Sequence, residues 1–246
     1  DTVRLDVASQ SWTCVFEWED PAAAMAGTSD PTRPSPRWAH TSVAMRDGVY
    51  VFGGSAPGKC YNDLYYYDVR AAAWRRVAVE GRSPRGRSGH CACVVDNSSM
   101  FVFGGNTIKS SFSDLWEFSA ATSRWRRVTT ARAAPSRRVG HSMNAVGGRL
   151  LLLGGREYAT NSFDGCLYCY DRSKHRWTCV EIERESTPLQ RTGHCTDAYD
   201  GHLLVFGGLR GDGSFLADVA SINLVDHPFA RGSSCASLCS SFSRVL

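Results

Sequence analysis

Arginine and histidine recur together along the chain in a pattern that could serve binding or metal chemistry. An arginine precedes a histidine by three residues in four short motifs, RWAH, RSGH, RVGH and RTGH, which are spaced 50, 51 and 53 residues apart. Guanidinium groups bind carboxylate and phosphate through paired hydrogen bonds, and imidazole is the most common metal ligand in proteins. The pairs are Arg37 with His40, Arg87 with His90, Arg138 with His141, and Arg191 with His194.

These motifs belong to a repeat of about 50 residues that runs through most of the chain. Each motif is followed by an apolar run that ends in a glycine pair: GVYVFGG, SMFVFGG, RLLLLGG and HLLVFGG. We interpret the glycines as architectural, because they fit where a Cβ would clash, and the recurring tryptophans as apolar area between neighbouring units. The glycines are Gly53, Gly54, Gly104, Gly105, Gly154, Gly155, Gly207 and Gly208, and the tryptophans are Trp12, Trp74, Trp125 and Trp177.

Each repeat contains four short runs separated by turn signals, as in AHTSVAM, GVYVFGG, DLYYYDV and WRRVAVE. Such closely spaced runs are typical of β-sheet proteins and not of helical ones. A glycine pair followed by an aromatic and acidic turn and then by tryptophan resembles the kelch repeat. The resemblance implies an all-β fold, a kelch-type β-propeller in which each repeat forms one four-stranded blade. We expect four nearly complete blades and a partial N-terminal blade.

The strand pattern also predicts where the blades begin and end. The excess of third strands favours a fragment of a larger propeller over a small ring closed by the N-terminal strand. The expected units are a partial blade at 1–16 with third and fourth strands, an exposed insertion loop at 17–36, blades at 37–80, 87–131 and 138–183, a blade at 191–225 without its fourth strand, and a disordered tail at 226–246.

Composition narrows the class of protein further. The chain is 43% hydrophobic and 21% charged with a net charge of +4, which is ordinary globular usage, and no apolar stretch approaches the ~20 residues of a membrane span. The basic doublets Arg75-Arg76 and Arg126-Arg127 recur on the outer strand and fit a solvated edge, so we expect no nucleic-acid partner. Ten cysteines without a small secreted framework favour reduced thiols and a cytoplasmic location.

Metal and cofactor chemistry is not favoured by this sequence. The four histidines recur in every repeat, which argues for a shared structural duty, and no carboxylate accompanies them at a fixed offset. The short cysteine pairs Cys91/Cys93, Cys166/Cys169 and Cys235/Cys239 do not make a four-ligand zinc set. We therefore predict no metal, no cofactor and no catalytic residue. A propeller enzyme or metal protein related to galactose oxidase, with its site in missing blades, is kept as the alternative.

The four arginines leave two interpretations open. In kelch propellers this position lies at the mouth of the central channel, so the resemblance implies that Arg37, Arg87, Arg138 and Arg191 converge there. They could bond the neighbouring blade's backbone, or they could bind an acidic or phosphorylated segment of a protein partner. The expected function is a protein-interaction module, a scaffold or adaptor. Its binding face combines this arginine rim with the loops SAPGKCYN, NTIKSSFS, REYATNSFDG and LRGDGSFL.

Overall fold

The structure is a computed structural model that describes residues 2–16, 31–130, 134–180, 189–224 and 244–245. These residues form β-strands joined by turns and loops, so the predicted all-β class is confirmed. Within the same residues, no helix has the length and apolar character needed to cross a membrane. The predicted insertion at 17–36 is described only from residue 31, and the predicted tail lies outside the described residues except at 244–245.

The first strands form a hairpin and a complete blade. Sequential strands pair antiparallel, and a small hairpin is inserted between the second and third strands of the first blade. The hairpin is β1 (Thr2–Asp6) with β2 (Ser11–Phe16), and blade 1 contains β3 (Thr41–Met45), β4 (Gly48–Phe52), β5 (Ser55–Ala56), β6 (Lys59–Cys60), β7 (Leu64–Asp68) and β8 (Ala73–Arg76).

Three further blades repeat this arrangement. Blade 2 contains β9 (Cys91–Val95), β10 (Ser99–Phe103), β11 (Leu115–Ser119) and β12 (Arg124–Val128). Blade 3 contains β13 (Arg138–Val139), β14 (Ser142–Val146), β15 (Arg149–Leu153), β16 (Arg156–Glu157), β17 (Leu167–Asp171) and β18 (Arg176–Val180). Blade 4 contains β19 (Cys195–Tyr199), β20 (His202–Phe206), β21 (Val219–Asn223) and β22 (Arg244–Val245).

The blades are arranged as a β-propeller. The first strands of consecutive blades, β3, β9, β14 and β19, lie against one another in sequence order. Each blade then extends outward through its second, third and fourth strands. This arrangement brings the same end of every first strand, and therefore every Arg-x-x-His motif, to one rim of the molecule.

Aromatic side chains fill the joints between blades. Phe52 of β4 packs on His90 and Trp125 of blade 2, with ring centroids 5.4 and 4.8 Å apart. Phe103 of β10 packs in the same way on Trp177 of blade 3, at 5.5 Å. The second strands β10 and β15 are buried along most of their length because a blade covers each face, as in sheets packed on both sides.

The two ends of this series differ from the interior joints. Phe206 of β20 is 58% exposed, whereas its equivalents Phe52 and Phe103 are fully buried. Trp12 is 67% exposed, whereas its equivalents Trp125 and Trp177 are buried. Among the described residues, no sheet packs on the far side of blade 4. The apolar residues that form a joint elsewhere therefore face solvent at both ends.

The last blade differs from the sequence prediction. We expected blade 4 to lack its fourth strand, but Arg244–Val245 pairs antiparallel with β21 and makes the sheet four-stranded. The prediction missed this strand because it relied on the recurring tryptophan. The segment that supplies β22 has no tryptophan and is separated from β21 by a long connection.

The joints give a direct test of tryptophan packing. We expect Trp177→Ala to lower the free energy of unfolding by roughly 3 to 5 kcal/mol, because it removes a fully buried aromatic side chain. The matched control is Trp12→Ala, which changes the same repeat position where the side chain is exposed, and we expect it to cost under about 1 kcal/mol. Urea denaturation of the 246-residue chain measures both. Equal losses for the two variants would contradict this account of the joints.

Candidate protein-binding face

Each blade contains one buried ion pair at the rim where its first strand begins. Arg87 donates from Nη1 to the Gly104 carbonyl at 2.9 Å and to Asp114 Oδ1 at 2.8 Å, and from Nη2 to Asp114 Oδ2 at 3.1 Å. Its side chain is 0% exposed. The guanidinium therefore fastens the end of the second strand to the start of the third strand. The equivalent pairs are Arg37 with Asp63, Arg138 with Asp164, and Arg191 with Asp218.

The aspartates are a part of the site that sequence reasoning missed. Each lies 26 or 27 residues after its arginine and just before the third strand. Burial alone would raise the pKa of the Asp114 carboxyl. The hydrogen bonds and the charge of Arg87 outweigh that effect, so the pKa lies below its usual value. These aspartates lie nine or ten residues after the second glycine of each pair, and this nearly constant spacing was a signal in the sequence.

The main chain of Arg87, Arg138 and Arg191 ties each of their blades to the preceding one. Gly54 N–H donates to the Arg87 carbonyl at 2.8 Å, and Gly105 N–H donates to the Arg138 carbonyl at 2.9 Å. The arginines therefore bond the neighbouring blade through their backbone and their own blade through their side chain. Direct contact between these guanidinium groups and a partner stays a prediction. The geometry favours the architectural interpretation, because each group is already bonded to a carboxylate.

The histidines link adjacent blades through Nε2. His90 is hydrogen bonded to Thr41 Oγ1 at 2.9 Å, and His194 is hydrogen bonded to Ser142 Oγ at the same distance. His141 is hydrogen bonded to the Phe103 carbonyl at 3.2 Å. In all three cases the partner belongs to the preceding blade. The described residues contain no group of three or more metal-ligating side chains that could hold an ion.

In blades 1 to 3 the glycine pair lies between two histidines, which explains why no side chain fits there. A Cβ on Gly104 would lie 2.7 Å from Cε1 of His141 in the next blade. A Cβ on Gly105 would lie 2.8 Å from Cβ of His90 in the same blade. Both glycines also have positive φ, 67° and 86°, a conformation that favours glycine.

A chain of backbone hydrogen bonds runs from blade to blade at this rim. Gly89 N–H donates to the Ala39 carbonyl at 2.9 Å, Gly140 to Gly89 at 3.0 Å, and Gly193 to Gly140 at 2.7 Å. All four residues have positive φ and lie one residue before the histidine of each motif. We refer to Ala39, Gly89, Gly140 and Gly193 as the backbone collar. The collar fixes the spacing between the blades and therefore the spacing between their loops.

The loops between second and third strands lie above this frame and carry its exposed side chains. Ile108, Tyr158 and Phe215 are exposed apolar residues, one in each of blades 2, 3 and 4. Lys59, Lys109 and Arg156 are exposed basic residues in the same loops. The half-buried Arg210 also belongs to this set, and its Nε has no hydrogen-bond partner among the described residues. We refer to this surface as the loop face.

A recurring aromatic residue in these loops was a further feature that sequence reasoning missed. Arg37 lies under the ring of Tyr61, 4.1 Å from its centroid, and Arg87 lies under Phe112 at 4.4 Å. Such stacking of a guanidinium on an aromatic face is favourable. In blade 4 the equivalent position is Leu216, whose N–H likewise donates to the second glycine of the pair, and the neighbouring Phe215 is 88% exposed. Its ring is therefore available to a partner, which distinguishes blade 4 from blades 1 and 2.

A family model matches almost the whole of the described chain. The model is the KLHDC2/KLHL20/DRC7 Kelch-repeats domain, and it matches residues 1–155 and 127–235. The chain belongs to the kelch-repeat family. The resemblance inferred from the glycine pairs and tryptophans is thereby confirmed, and the kelch repeats correspond to the blades described above.

Several curated kelch relatives are similar to this chain over most of its length. Kelch domain-containing protein 3 of Bos taurus is 30% identical over 223 residues, 85% of this chain and 56% of that protein. Serine/threonine-protein phosphatase BSL2 of Arabidopsis thaliana is 30% identical over 230 residues, which are 90% of this chain and 21% of that protein. Tip elongation aberrant protein 1 of Schizosaccharomyces pombe is 29% identical over 195 residues, which are 73% of this chain and 16% of that protein. The chain spans about half the length of the first and less of the others.

The buried ion pair of each kelch blade can be tested in blade 2. We expect Arg87→Met to lower the free energy of unfolding by about 3 to 5 kcal/mol, because it leaves the Asp114 carboxylate without its partner. Adding Asp114→Leu removes that carboxylate, so the double variant should lose at least about 2 kcal/mol less than the two single losses combined. Urea denaturation of the four proteins in this cycle measures the coupling, and strictly additive losses would argue against the ion pair.

The buried histidines predict a loss of stability in mild acid. Burial, with help from the nearby arginines, lowers the pKa of His141 to about 3 and of His194 to about 4, and it lowers the pKa of His90 well below the usual 6.5. Unfolding restores ordinary values, so below pH ~6.5 the unfolded chain binds protons that the folded chain does not. The free energy of unfolding therefore has its full value above that pH. At pH 5 each of these three histidines lowers it by about 2 kcal/mol.

Chemical denaturation at pH 7.5, 6 and 5 measures this slope. The matched variant is His141→Gln, which keeps a donor near the Phe103 carbonyl and does not titrate in this range. We expect the slope of its unfolding free energy against pH to fall by up to about one third, since one of the three buried histidines is gone while His40, whose pKa is also lowered, still contributes. Stability that stays constant from pH 7.5 to pH 5 would show that the histidines are not held neutral by the fold.

Proposed function

We propose that this kelch propeller is a protein-interaction module, an adaptor or scaffold that binds a protein partner through its loop face. The observation that carries the proposal is the division between a repeated, buried frame and a variable, exposed set of loop side chains. Loops held on a rigid scaffold are the usual location of binding residues. Membership of the kelch family is consistent with this role.

The exposed apolar side chains support a protein partner. Phe215 is almost fully exposed, and Ile108 and Tyr158 stand out from the loops of the two preceding blades. Exposed apolar residues surrounded by polar ones are typical of protein interfaces, and aromatic residues contribute much of the binding free energy there. We infer that Phe215 is an anchor of the interface.

The charges of the loop face support an acidic or phosphorylated segment as the ligand. Lys59, Lys109 and Arg156 are exposed, whereas the nearby acidic groups are engaged within their own loops. Thr160 donates to Glu157 at 2.5 Å, and Ser214 N–H and Oγ donate to Asp212. These two carboxylates keep their charge, but with Arg210 the four basic groups of the loops outnumber them, so the face has a net positive charge that favours carboxylate or phosphate.

The four arginines of the repeat contribute to this function from below. Each bonds the first glycine of its pair and an aspartate at the base of the next strand, so each holds both ends of one binding loop. We infer that Arg37, Arg87, Arg138 and Arg191 position the loops that meet the acidic segment. The cytoplasm is the location that fits the free thiols of this module.

Charge reversal on the loop face tests this proposal. A partner captured by affinity purification is purified, and its affinity is measured by calorimetry at 50 and 300 mM salt. We expect Arg210→Glu and Lys109→Glu each to weaken binding at least tenfold at low salt, and we expect the affinity of the unmodified chain to fall as salt rises, because the contacts are electrostatic. Phe215→Ser should weaken binding at both salt concentrations, because its contribution is apolar.

The matched control is Arg127→Glu, an exposed arginine on the outer strand β12. It makes the same change of charge away from the loop face, so binding should be retained within about twofold. Circular dichroism checks that every variant is folded. If Arg127→Glu weakens binding as much as Arg210→Glu does, or if the loop variants bind normally, the contact surface lies elsewhere.

A further inference from the structure

The basic doublets of the chain are a feature that the loop face leaves unexplained. Three Arg-Arg-Val motifs occur in the sequence, and a different residue follows each of them. These residues are Ala78 in blade 1, Thr129 in blade 2 and Gly140 in blade 3. Thr129 is therefore the one hydroxyl that directly follows such a motif, with arginines two and three residues before it.

Thr129 lies at the end of an open sheet edge. β12 is the outermost strand of its sheet, and Thr129 follows the last residue of this strand, Val128. The side chains of Thr129 and Arg127 are exposed. Among the described residues, the outer edge of β12 is bridged only at its first residue, Arg124, by Glu80. The hydroxyl is therefore presented to solvent beyond the strand, at the end of the edge that is not bridged.

The two arginines before this threonine are accessible to a second protein. The Arg126 side chain is 62% exposed and forms an ion pair with Glu117 of the neighbouring strand. Arg127 is exposed, and within the described ranges it forms no ion pair. Ion pairs at an exposed surface contribute little to stability, so Arg126 can exchange Glu117 for another carboxylate. Acidic groups of a partner can therefore bind both guanidinium groups.

We propose that Thr129 is a phosphorylation site for a serine/threonine protein kinase that selects arginine two and three residues before the acceptor. The Thr129 oxygen attacks the γ-phosphorus of ATP, and the bond from that phosphorus to the β-phosphate oxygen breaks. The hydroxyl proton passes to the catalytic aspartate of the kinase. The products are phosphothreonine, ADP and one proton. Carboxylates in the substrate groove of the kinase bind the two guanidinium groups and so select this segment.

A phosphate on Thr129 lies at the loop end of blade 2. Val128 pairs with Leu115, the first residue of β11, which directly follows Asp114 at the base of the blade 2 loop. Phosphothreonine carries about −1.5 to −2 charges at neutral pH, of which Arg127 compensates at most one. Phosphorylation therefore lowers the positive charge of the loop face. This consequence for binding rests on the proposed function, whereas the phosphorylation itself does not.

Blade 1 provides a matched control, because it repeats the motif without the acceptor. Arg75, Arg76 and Val77 occupy the equivalent positions, and Ala78 is exposed as Thr129 is. Ala78→Thr therefore creates a second hydroxyl with the same two arginines before it, at the end of the equivalent strand.

Phosphorylation of the full chain by purified kinases tests the site. The folded protein is incubated with Mg²⁺, ATP and the catalytic subunit of cyclic-AMP-dependent kinase, which selects paired arginines. A parallel reaction contains casein kinase II, which selects acidic residues. Incorporated phosphate is measured, and tandem mass spectrometry of chymotryptic peptides locates it. We expect phosphate on Thr129 with the first kinase and none on this residue with the second.

Substitutions separate the acceptor from its recognition. We expect Thr129→Ala to abolish phosphorylation of this segment, Thr129→Ser to retain it, and Thr130→Ala to leave its rate unchanged. Arg126→Gln and Arg127→Gln should each lower kcat/KM at least tenfold, because each removes a charge that the kinase binds. Ala78→Thr should gain a second phosphate. The proposal is wrong if Thr130 carries the phosphate, or if the glutamine variants react as fast as the unmodified chain.

The reaction must also occur on the folded propeller. We expect kcat/KM of the full chain to lie within about tenfold of the value for a synthetic peptide of residues 122–134, with circular dichroism showing that the chain is folded during the assay. If the peptide is phosphorylated and the folded chain is not, the fold does not present this hydroxyl and the proposal is wrong.

Calorimetry with the purified partner of the loop face measures the consequence for binding. We expect full phosphorylation of Thr129 to weaken binding at least threefold at 50 mM salt and less at 300 mM, because salt screens the added charge. Thr129→Ala treated with the same kinase is the control. Unchanged affinity in a protein shown to carry the phosphate would overturn the link to the loop face. A failure of the loop face to bind an acidic segment leaves the phosphorylation results intact, so the two proposals are tested separately.

Discussion

The structure of each blade depends on one interaction, in which a buried guanidinium donates both to an aspartate and to a glycine carbonyl. A buried arginine is costly unless its charge and its N–H groups are matched, and here the carboxylate and the carbonyl match them from two different strands. Satisfying the arginine therefore requires that the second strand end, the loop turn back and the third strand begin at fixed points. The loops of the loop face differ in length and composition, but their two ends are held in the same way in blades 1 to 4.

The joints between blades follow from the same residues. The carbonyl of Arg87 accepts from Gly54, and the ring of His90 lies against Gly53 and Phe52 of blade 1. A side chain on Gly53 would push the two blades apart, and one on Gly54 would meet His40 of its own blade, so the glycine pair, the arginine and the histidine form one unit. This shared packing explains why the four residue types repeat with nearly constant spacing.

Much of the fold could be predicted from the sequence, because a repeated pattern reports a repeated structure. The glycine pairs and tryptophans indicated the propeller, the four blades and the partial N-terminal blade. The aspartates, such as Asp114, were missed because an acidic residue before a strand has many uses and its partner lies far away in the chain. The strand β22 was missed because its pairing is a backbone interaction that leaves no residue signature. For the loop face, the sequence indicated the loops but not the exposure of Phe215 or the unpaired Nε of Arg210, which depend on how neighbouring blades pack.

The backbone collar has a consequence for the electric field at the rim where the first strands begin. Its hydrogen bonds all run in one sense, each N–H donating to the carbonyl of the preceding blade, so these peptide dipoles point around the axis and not along it. Dipoles arranged tangentially add little field along the axis, unlike the aligned dipoles of a helix end. The arginine charges beneath are compensated by their aspartates. The potential at this rim is therefore set largely by the loop side chains, and substitutions there can change its sign without disturbing the frame.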